Sequence, residues 1–183
     1  MNIFKKDKIA YIYDSSGNLS QALSQQLRVL ISSVVSNNKS VFQDFILTQA
    51  FSPSSQSHLD NDNSTDAILA YEVDESTKTF HFLNRIVKNG AEYESVKSKI
   101  EAQLKSEIQY IKDNQRILYG LDQSGRIFFI ERAPAGANKK AIYFVVILKV
   151  EEFYDTFSTS SAQQLFLINQ FGQIVMGPNL MTE

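Results

Sequence analysis

Residues 116–132 read RILYGLDQSGRIFFIER. Two β-rich runs, Arg116–Leu121 and Arg126–Arg132, flank Asp122-Gln123-Ser124-Gly125, and Gly125 suits a turn position that needs positive φ. A third β-rich run, Lys140–Val150, follows. Upstream, Ala67–Val73 and Lys78–Val87 flank Asp74-Glu75-Ser76-Thr77, which predicts a hairpin with a short turn. Between the two groups of strands the pattern predicts a helix over about 91–112, capped by Asn89. Its buried stripe is Val96, Ile100, Leu104, Ile108 and Ile111, and its other face is charged. Beyond the third strand, a short helix near Glu151–Phe157 leads to Gln164–Asn169 and Gln173–Met176, joined through Gln170-Phe171-Gly172. Hairpins outnumber crossovers, so a parallel sheet is disfavoured. The expected class is α+β: one antiparallel sheet with helices against it.

Working outward toward the N-terminus, residues 18–50 carry the strongest helical signal. Leu19, Leu23, Leu27, Leu30, Ile31, Val34, Val41, Phe42, Phe45 and Ile46 recur mostly at three- and four-residue steps, with polar residues between. Asn18 is the expected N-cap, Gln21 completes a pattern like a capping box, and Pro53 closes the far end. One continuous helix over these residues is about 50 Å long. It would span a body whose radius of gyration is about 16 Å. Such a helix is open to two compatible readings: it backs the sheet, or it transmits a displacement and mediates dimerisation.

Residues 52–66 (SPSSQSHLDNDNSTD) are polar without apolar periodicity and read as an exposed loop. Within them, Asp60 to Asp66 place acidic or hydroxyl side chains at the alternate positions of a calcium loop. The required glycine is missing, however, and the final position is Tyr71 where a bidentate Glu belongs. A solvated loop is the expectation, with no metal site.

The chain has 183 residues, enough for one domain with a real core. Its net charge of −2 provides no electrostatic footprint for nucleic acid. With no cysteine there is no disulfide scaffold, thiolate nucleophile or thiolate zinc site. His58 and His81 are the only histidines, which nearly excludes triad and metal-cage chemistry. The glycines are scattered without a phosphate loop, and no nucleophile elbow or His-Glu metal helix occurs. An acidic cluster, Glu151, Glu152 and Asp155, is explained by a helix start. No enzyme and no cofactor is expected. The longest uncharged apolar run, Ala141–Leu148, is far short of the ~20 residues that cross a bilayer. The opening Met1 to Lys8 is basic, but the apolar stretch behind it stops at Tyr13, short of a cleavable signal. Either a cytoplasmic protein or the soluble part of a larger membrane-anchored chain fits these ends.

Two stretches, Phe4-Lys5-Lys6-Asp7-Lys8-Ile9-Ala10-Tyr11-Ile12-Tyr13-Asp14-Ser15 and Leu165 to Asn179, resemble the extracytoplasmic Cache sensor domains of bacterial receptors, which are PAS-like. The first looks like the segment that follows a membrane span and leads into a long helix. The second resembles the family's hairpin, with Gly172 in its turn and Pro178-Asn179 closing it. The resemblance implies one Cache-like domain over 1–183, with the long helix at 18–50 packed on a PAS-like sheet region at 67–178. It also implies a periplasmic, non-catalytic, ligand-sensing part of an inner-membrane receptor, whose output is a cyclase, kinase, phosphatase or chemoreceptor. The membrane enters only through segments outside this chain.

Such sensors bind small molecules on one face of the central sheet. Alternation puts Arg126, Phe128, Ile130 and Arg132 on one face of their strand, and Tyr119 and Tyr143 in the neighbouring strands line the same cup. Arg132 or Arg126 is expected to hold the carboxylate of a small organic acid, with the aromatics around it. The competing reading places both arginines at strand ends in water and the rings in the core. A homodimer through residues 19–50 is expected. The alternative to a receptor domain is a soluble cytoplasmic interaction or dimerisation module of PAS-like fold, using exposed apolar residues of the helix as anchors.

Overall fold

A computed structural model describes residues 10–14, 16–88, 94–108, 118–120, 126–133, 140–148, 165–169 and 174–176. The elements are β1 (Ala10–Asp14), α1 (Gln21–Asn37), α2 (Lys39–Thr48), α3 (Pro53–Asp60), β2 (Thr65–Asp74), β3 (Thr79–Val87) and α4 (Glu94–Glu107). They continue with β4 (Leu118–Gly120), β5 (Ile127–Ala133), β6 (Ala141–Leu148), β7 (Leu165–Asn169) and β8 (Ile174–Met176). The class is α+β: the described residues form four helices and two antiparallel sheets rather than the single sheet expected. The five-stranded sheet has the order β3-β2-β6-β5-β4, and the three-stranded sheet the order β1-β7-β8.

The three sequential antiparallel pairs of the large sheet, β2–β3, β4–β5 and β5–β6, follow the sequence pattern. Asp74 pairs with Thr79 across the β2–β3 turn, and β5 pairs with β6 from Ile127↔Leu148 to Ala133↔Ile142. The joint between these two units, β2 on β6, is long-range, and it makes β6 the buried centre: every residue from Ala141 to Leu148 is buried. Alternation then divides the side chains between two cores. One face carries Ile68, Ala70, Phe129, Phe144 and Val146 beneath α1, α2, α3 and the small sheet. The other carries Leu69, Tyr71, Phe128, Ile130, Tyr143 and Val145 beneath the stripe Val96, Ile100 and Leu104 of α4 and Ile108 just past its end. That stripe is the one expected from the sequence, while Ile111 and the cap Asn89 lie outside the described residues. So do the turns at 122–125 and 170–172, the helix expected at 151–157 with its acidic cluster, and Gly172, Pro178 and Asn179.

The 50 Å helix is corrected to two segments, of 17 and 10 residues, which meet at Asn38. Asn38 has φ −99° and ψ 7°, and both its backbone N–H (3.1 Å) and its Nδ2 (2.9 Å) donate to the Val34 carbonyl. The side-chain amide thus shares the Val34 carbonyl with the regular backbone bond, and Asn38 itself leaves helical geometry and bends the chain. The N-cap is Ser20, not Asn18: its hydroxyl accepts from the Leu23 N–H at 3.3 Å. Leu27, Ile31 and Val34 of α1 and Val41, Phe42 and Phe45 of α2 are spent on the core, so these helices do back the sheet. Val29 (58% exposed), Ile46 (38%) and Leu47 (84%) remain outside.

The loop expected at 52–66 is also corrected. Pro53 opens a helix instead of closing one: the Ser52 hydroxyl accepts from the Ser55 N–H at 3.1 Å, and proline is tolerated in the first turn. The fully buried Leu59 anchors α3. Asp62, within the calcium-like run, accepts from the Ser64 N–H (2.8 Å) and the Thr65 hydroxyl (3.1 Å), and so shapes the turn into β2.

Residues 10–14, read only as a lead-in, form β1, paired with β7 from Ala10↔Asn169 to Asp14↔Leu165. The joint between β1 and α1 is covalently short and doubly hydrogen-bonded. The Ser20 N–H donates to the Ile12 carbonyl (2.8 Å), and the Ser24 hydroxyl accepts from the Ile12 N–H (2.9 Å) while donating to the Ser20 carbonyl (2.7 Å). Ser24 is 1% exposed, so Ser24→Ala leaves the Ile12 N–H dry and unmatched. The expected loss is roughly 1–3 kcal/mol. Urea titration measures it, and exchange of the β1 amides should quicken more than that of β6.

Candidate functional site

The register builds a cross-strand row on the α4 face of the large sheet. Arg132 pairs with Tyr143, Tyr143 with Tyr71, and Tyr71 with Phe82, so one side chain from each of β5, β6, β2 and β3 stands in line. At the β5 end of this row, Arg132 grips the carboxylate of Glu75 with two bonds. Nε donates to Oε2 at 3.0 Å and Nη2 to Oε1 at 2.7 Å. The Tyr143 hydroxyl donates to Oε2 of the same carboxylate at 2.9 Å. Glu75 comes from the β2–β3 turn, and the ion pair is part-buried, with side-chain exposures of 21% for Arg132 and 31% for Glu75. The short distances and fork geometry mark a charge-assisted, directional contact.

The other end of the row ties α4 down. The Tyr71 hydroxyl donates to Glu101 at 3.2 Å, and Lys97 stands 3.8 Å from Glu101 and 3.9 Å above the Phe82 ring centroid. Tyr71 meets Phe80 and Phe82 edge-on, with centroids 5.8 and 5.5 Å apart.

Of the five residues expected to form one cup, the structure brings together two, Arg132 and Tyr143. Tyr119 stacks on Phe128 at 5.1 Å, but both rings are buried core beneath α4. Phe128 also stands four positions from Arg132 along β5, about 13 Å at strand spacing. Arg126, half-buried just before β5, is six positions from Arg132, about 20 Å away. The expected aromatic enclosure is therefore corrected: Tyr119 and Phe128 share the face of Arg132 without joining its site. Glu75, Tyr71, Glu101 and Lys97 were missed. Glu75 reads as an ordinary turn residue, and only the β2–β6 pairing carries that turn to the end of the sheet where Arg132 lies.

The electrostatics follow from this geometry. The Arg132 hydrogen bond, opposed by partial burial and helped by Tyr143, holds the Glu75 carboxyl below its ordinary 4.5. Burial, with Glu75 beside it, pushes the Tyr143 phenol well above its usual range, so it remains a donor. A carboxyl depressed in the folded state contributes stability that is present above its ordinary pKa and is lost as pH falls through its folded pKa. Glu75→Gln should therefore flatten the acid limb of thermal stability below that ordinary value of 4.5. Melting at pH 7 and pH 3 checks this; equal losses in both proteins would mean that the pair contributes nothing.

No protein-family model, curated protein or solved structure matches the chain. Among the described residues no group of three or more His, Asp or Glu is placed to hold a metal ion, and no helix is long and apolar enough to cross a membrane. What the site does chemically is hold a carboxylate, by a guanidinium fork and a phenolic hydroxyl, at the rim of the sheet.

Proposed function

We propose that the chain is a non-catalytic sensor domain, the extracytoplasmic part of a bacterial transmembrane receptor, with a PAS-like, Cache-type core. The observation that carries this reading is the five-stranded antiparallel sheet whose first and last strands, β2 and β6, pair at its centre. Helices cover both of its faces, and α4 bridges its two halves. That arrangement is compatible with a PAS-like core. The α4 face, with its Arg132–Tyr143 pair, supports a small organic acid as the signal.

The strand β1, bonded through Ser20 and Ser24 to α1, supports a mechanical role for the N-terminal segment. Ligand binding would shift the population of two arrangements of that segment, which requires that the ligand favour one of them. A homodimer through α1 and α2 would use their outer faces, where Val29, Ile46 and Leu47 are exposed, because the inner stripe is occupied by the sheet.

The test is topological. The native gene product, carrying a phosphatase reporter active only after export, is expressed in a bacterial host with the reporter inserted next to this segment. Activity there, with apolar spans of about 20 residues encoded on both sides, is the expected result. A silent phosphatase with a fluorescent cytoplasmic counterpart would leave a soluble binding module instead.

A further inference from the structure

We infer that Arg132 and Tyr143 form a carboxylate-exchange site whose resident occupant is Glu75, and that a small monocarboxylate binds by displacing Glu75 and releasing the β2–β3 turn. The inference deepens the sensor reading and rests on its expectation that Arg132 binds an organic acid. It starts from the observation that the fork of Arg132 and the hydroxyl of Tyr143 already hold a carboxylate in full geometry, at 2.7–3.0 Å. An external carboxylate makes the same three bonds, so exchange is balanced: one anion leaves Arg132 as another arrives.

Three features make the exchange accessible. Glu75 is at the sheet rim, with its side chain 31% exposed, so a displaced carboxylate passes directly into water. The turn that carries it keeps its shape by other means. Asp74 Oδ1 accepts from the Ser76 N–H (3.0 Å), the Ser76 hydroxyl (2.6 Å) and the Thr77 N–H (3.2 Å), and Lys78 holds a left-handed backbone at φ 59°. Losing the Glu75 contact therefore removes the side-chain tie between the turn and β5 without dismantling the turn, while β2 stays paired with β6 up to Val73↔Ala141. Finally, Arg132 and Tyr143 are direct partners in the β5–β6 register, so their backbones hold the receiving groups side by side when Glu75 leaves.

A tethered competitor weakens an external ligand by the fraction of time the site is open. Glu75 thus sets the threshold for the signal, and its release removes the side-chain tie between the β2–β3 turn and Arg132 and Tyr143. The consequence is measurable with sodium propionate, which matches the Glu75 side chain beyond its α-carbon. Calorimetric titration of the folded chain should give binding to Glu75→Ala at least tenfold tighter than to the unaltered protein. Adding Arg132→Met to Glu75→Ala should abolish it. In the unaltered protein, high propionate should perturb the Ser76 and Thr77 amide resonances. Equal affinity with and without Glu75, absence of binding to both proteins, or binding indifferent to Arg132 would each overturn the inference. Should Glu75→Ala fail to fold, Glu75→Gln keeps the shape of the side chain, removes the competing charge and serves for the same comparison. The reporter test of membrane topology is independent, so an exported domain that ignores propionate would end this inference while leaving the sensor reading intact.

Discussion

Phe144→Ala is expected to destabilise the domain by roughly 3–5 kcal/mol, the range for deleting a large buried aromatic side chain. Phe144 is fully buried in the central strand β6. Its ring stacks on Phe42 at 4.5 Å and receives Phe45 edge-on at 5.7 Å, and Phe45 in turn meets Phe51 at 4.5 Å. The cluster is where α2 rests on the sheet, so alanine removes the surface against which the helix is seated. Collapse into the gap is limited, because neighbouring strands hold β6 on both sides. Total stabilities of about 5–15 kcal/mol make this loss a large share of what there is. Urea denaturation checks it: the midpoint should fall with an unchanged slope. A loss below about 1 kcal/mol would mean that the aromatic cluster is not the seat of α2.

The second large effect is expected from Gly120→Ala. Gly120 ends β4, the edge strand of the large sheet, and a β-carbon there would stand 2.5 Å from the backbone carbonyl oxygen of Val175 in β8. No side chain can swing away to relieve that contact. Either β4 leaves its pairing with β5 or the small sheet backs off, and overpacking of this kind costs about 1–3 kcal/mol. In a domain of this size each kcal/mol lowers the melting temperature by roughly 2–4 °C. The effect should be localised: amides of β7 and β8 exchange faster, while those of β2 and β6 keep their protection. Uniform loss across both sheets, or none, would show that the close approach of β4 and β8 does not join them.

Much of the large sheet was legible because its signals are local. The Asp74–Thr77 turn between alternating runs, the all-apolar Ala141–Leu148 and the apolar stripe of α4 each announce an element through its own periodicity. The failures share a different cause. At Asn38 the apolar steps continue across the break, so periodicity cannot register a side-chain amide that shares the Val34 carbonyl. At Pro53 the same residue type that ends one helix begins the next, and the deciding feature is the Ser52 cap. Residues 10–14 are too short to show a period, and their strand exists because β7, more than 150 residues later, supplies its partner.

The candidate site divides the same way. Alternation along β5 placed Arg132 and Phe128 on one face, which they share with Tyr143 and Tyr119. Face is a period-two property and is readable from one strand. Position along the strand is not, and it separates the Tyr119–Phe128 stack from Arg132 by about 13 Å. The partner of Arg132 was beyond reach of any local rule, since Glu75 is 57 residues away in the chain and contact requires β2 to lie beside β6.

By itself the sequence determined an α+β chain of antiparallel hairpins, with a helical N-terminal segment and a second helix covering the sheet. These are consequences of side-chain spacing and turn chemistry, which act over a few residues. Only the tertiary structure decided that the strands divide into two sheets, that the N-terminal helix breaks over its core, and that a turn carboxylate closes on Arg132 and Tyr143. Those outcomes depend on which distant surfaces bury one another, and burial is a property of the assembled body.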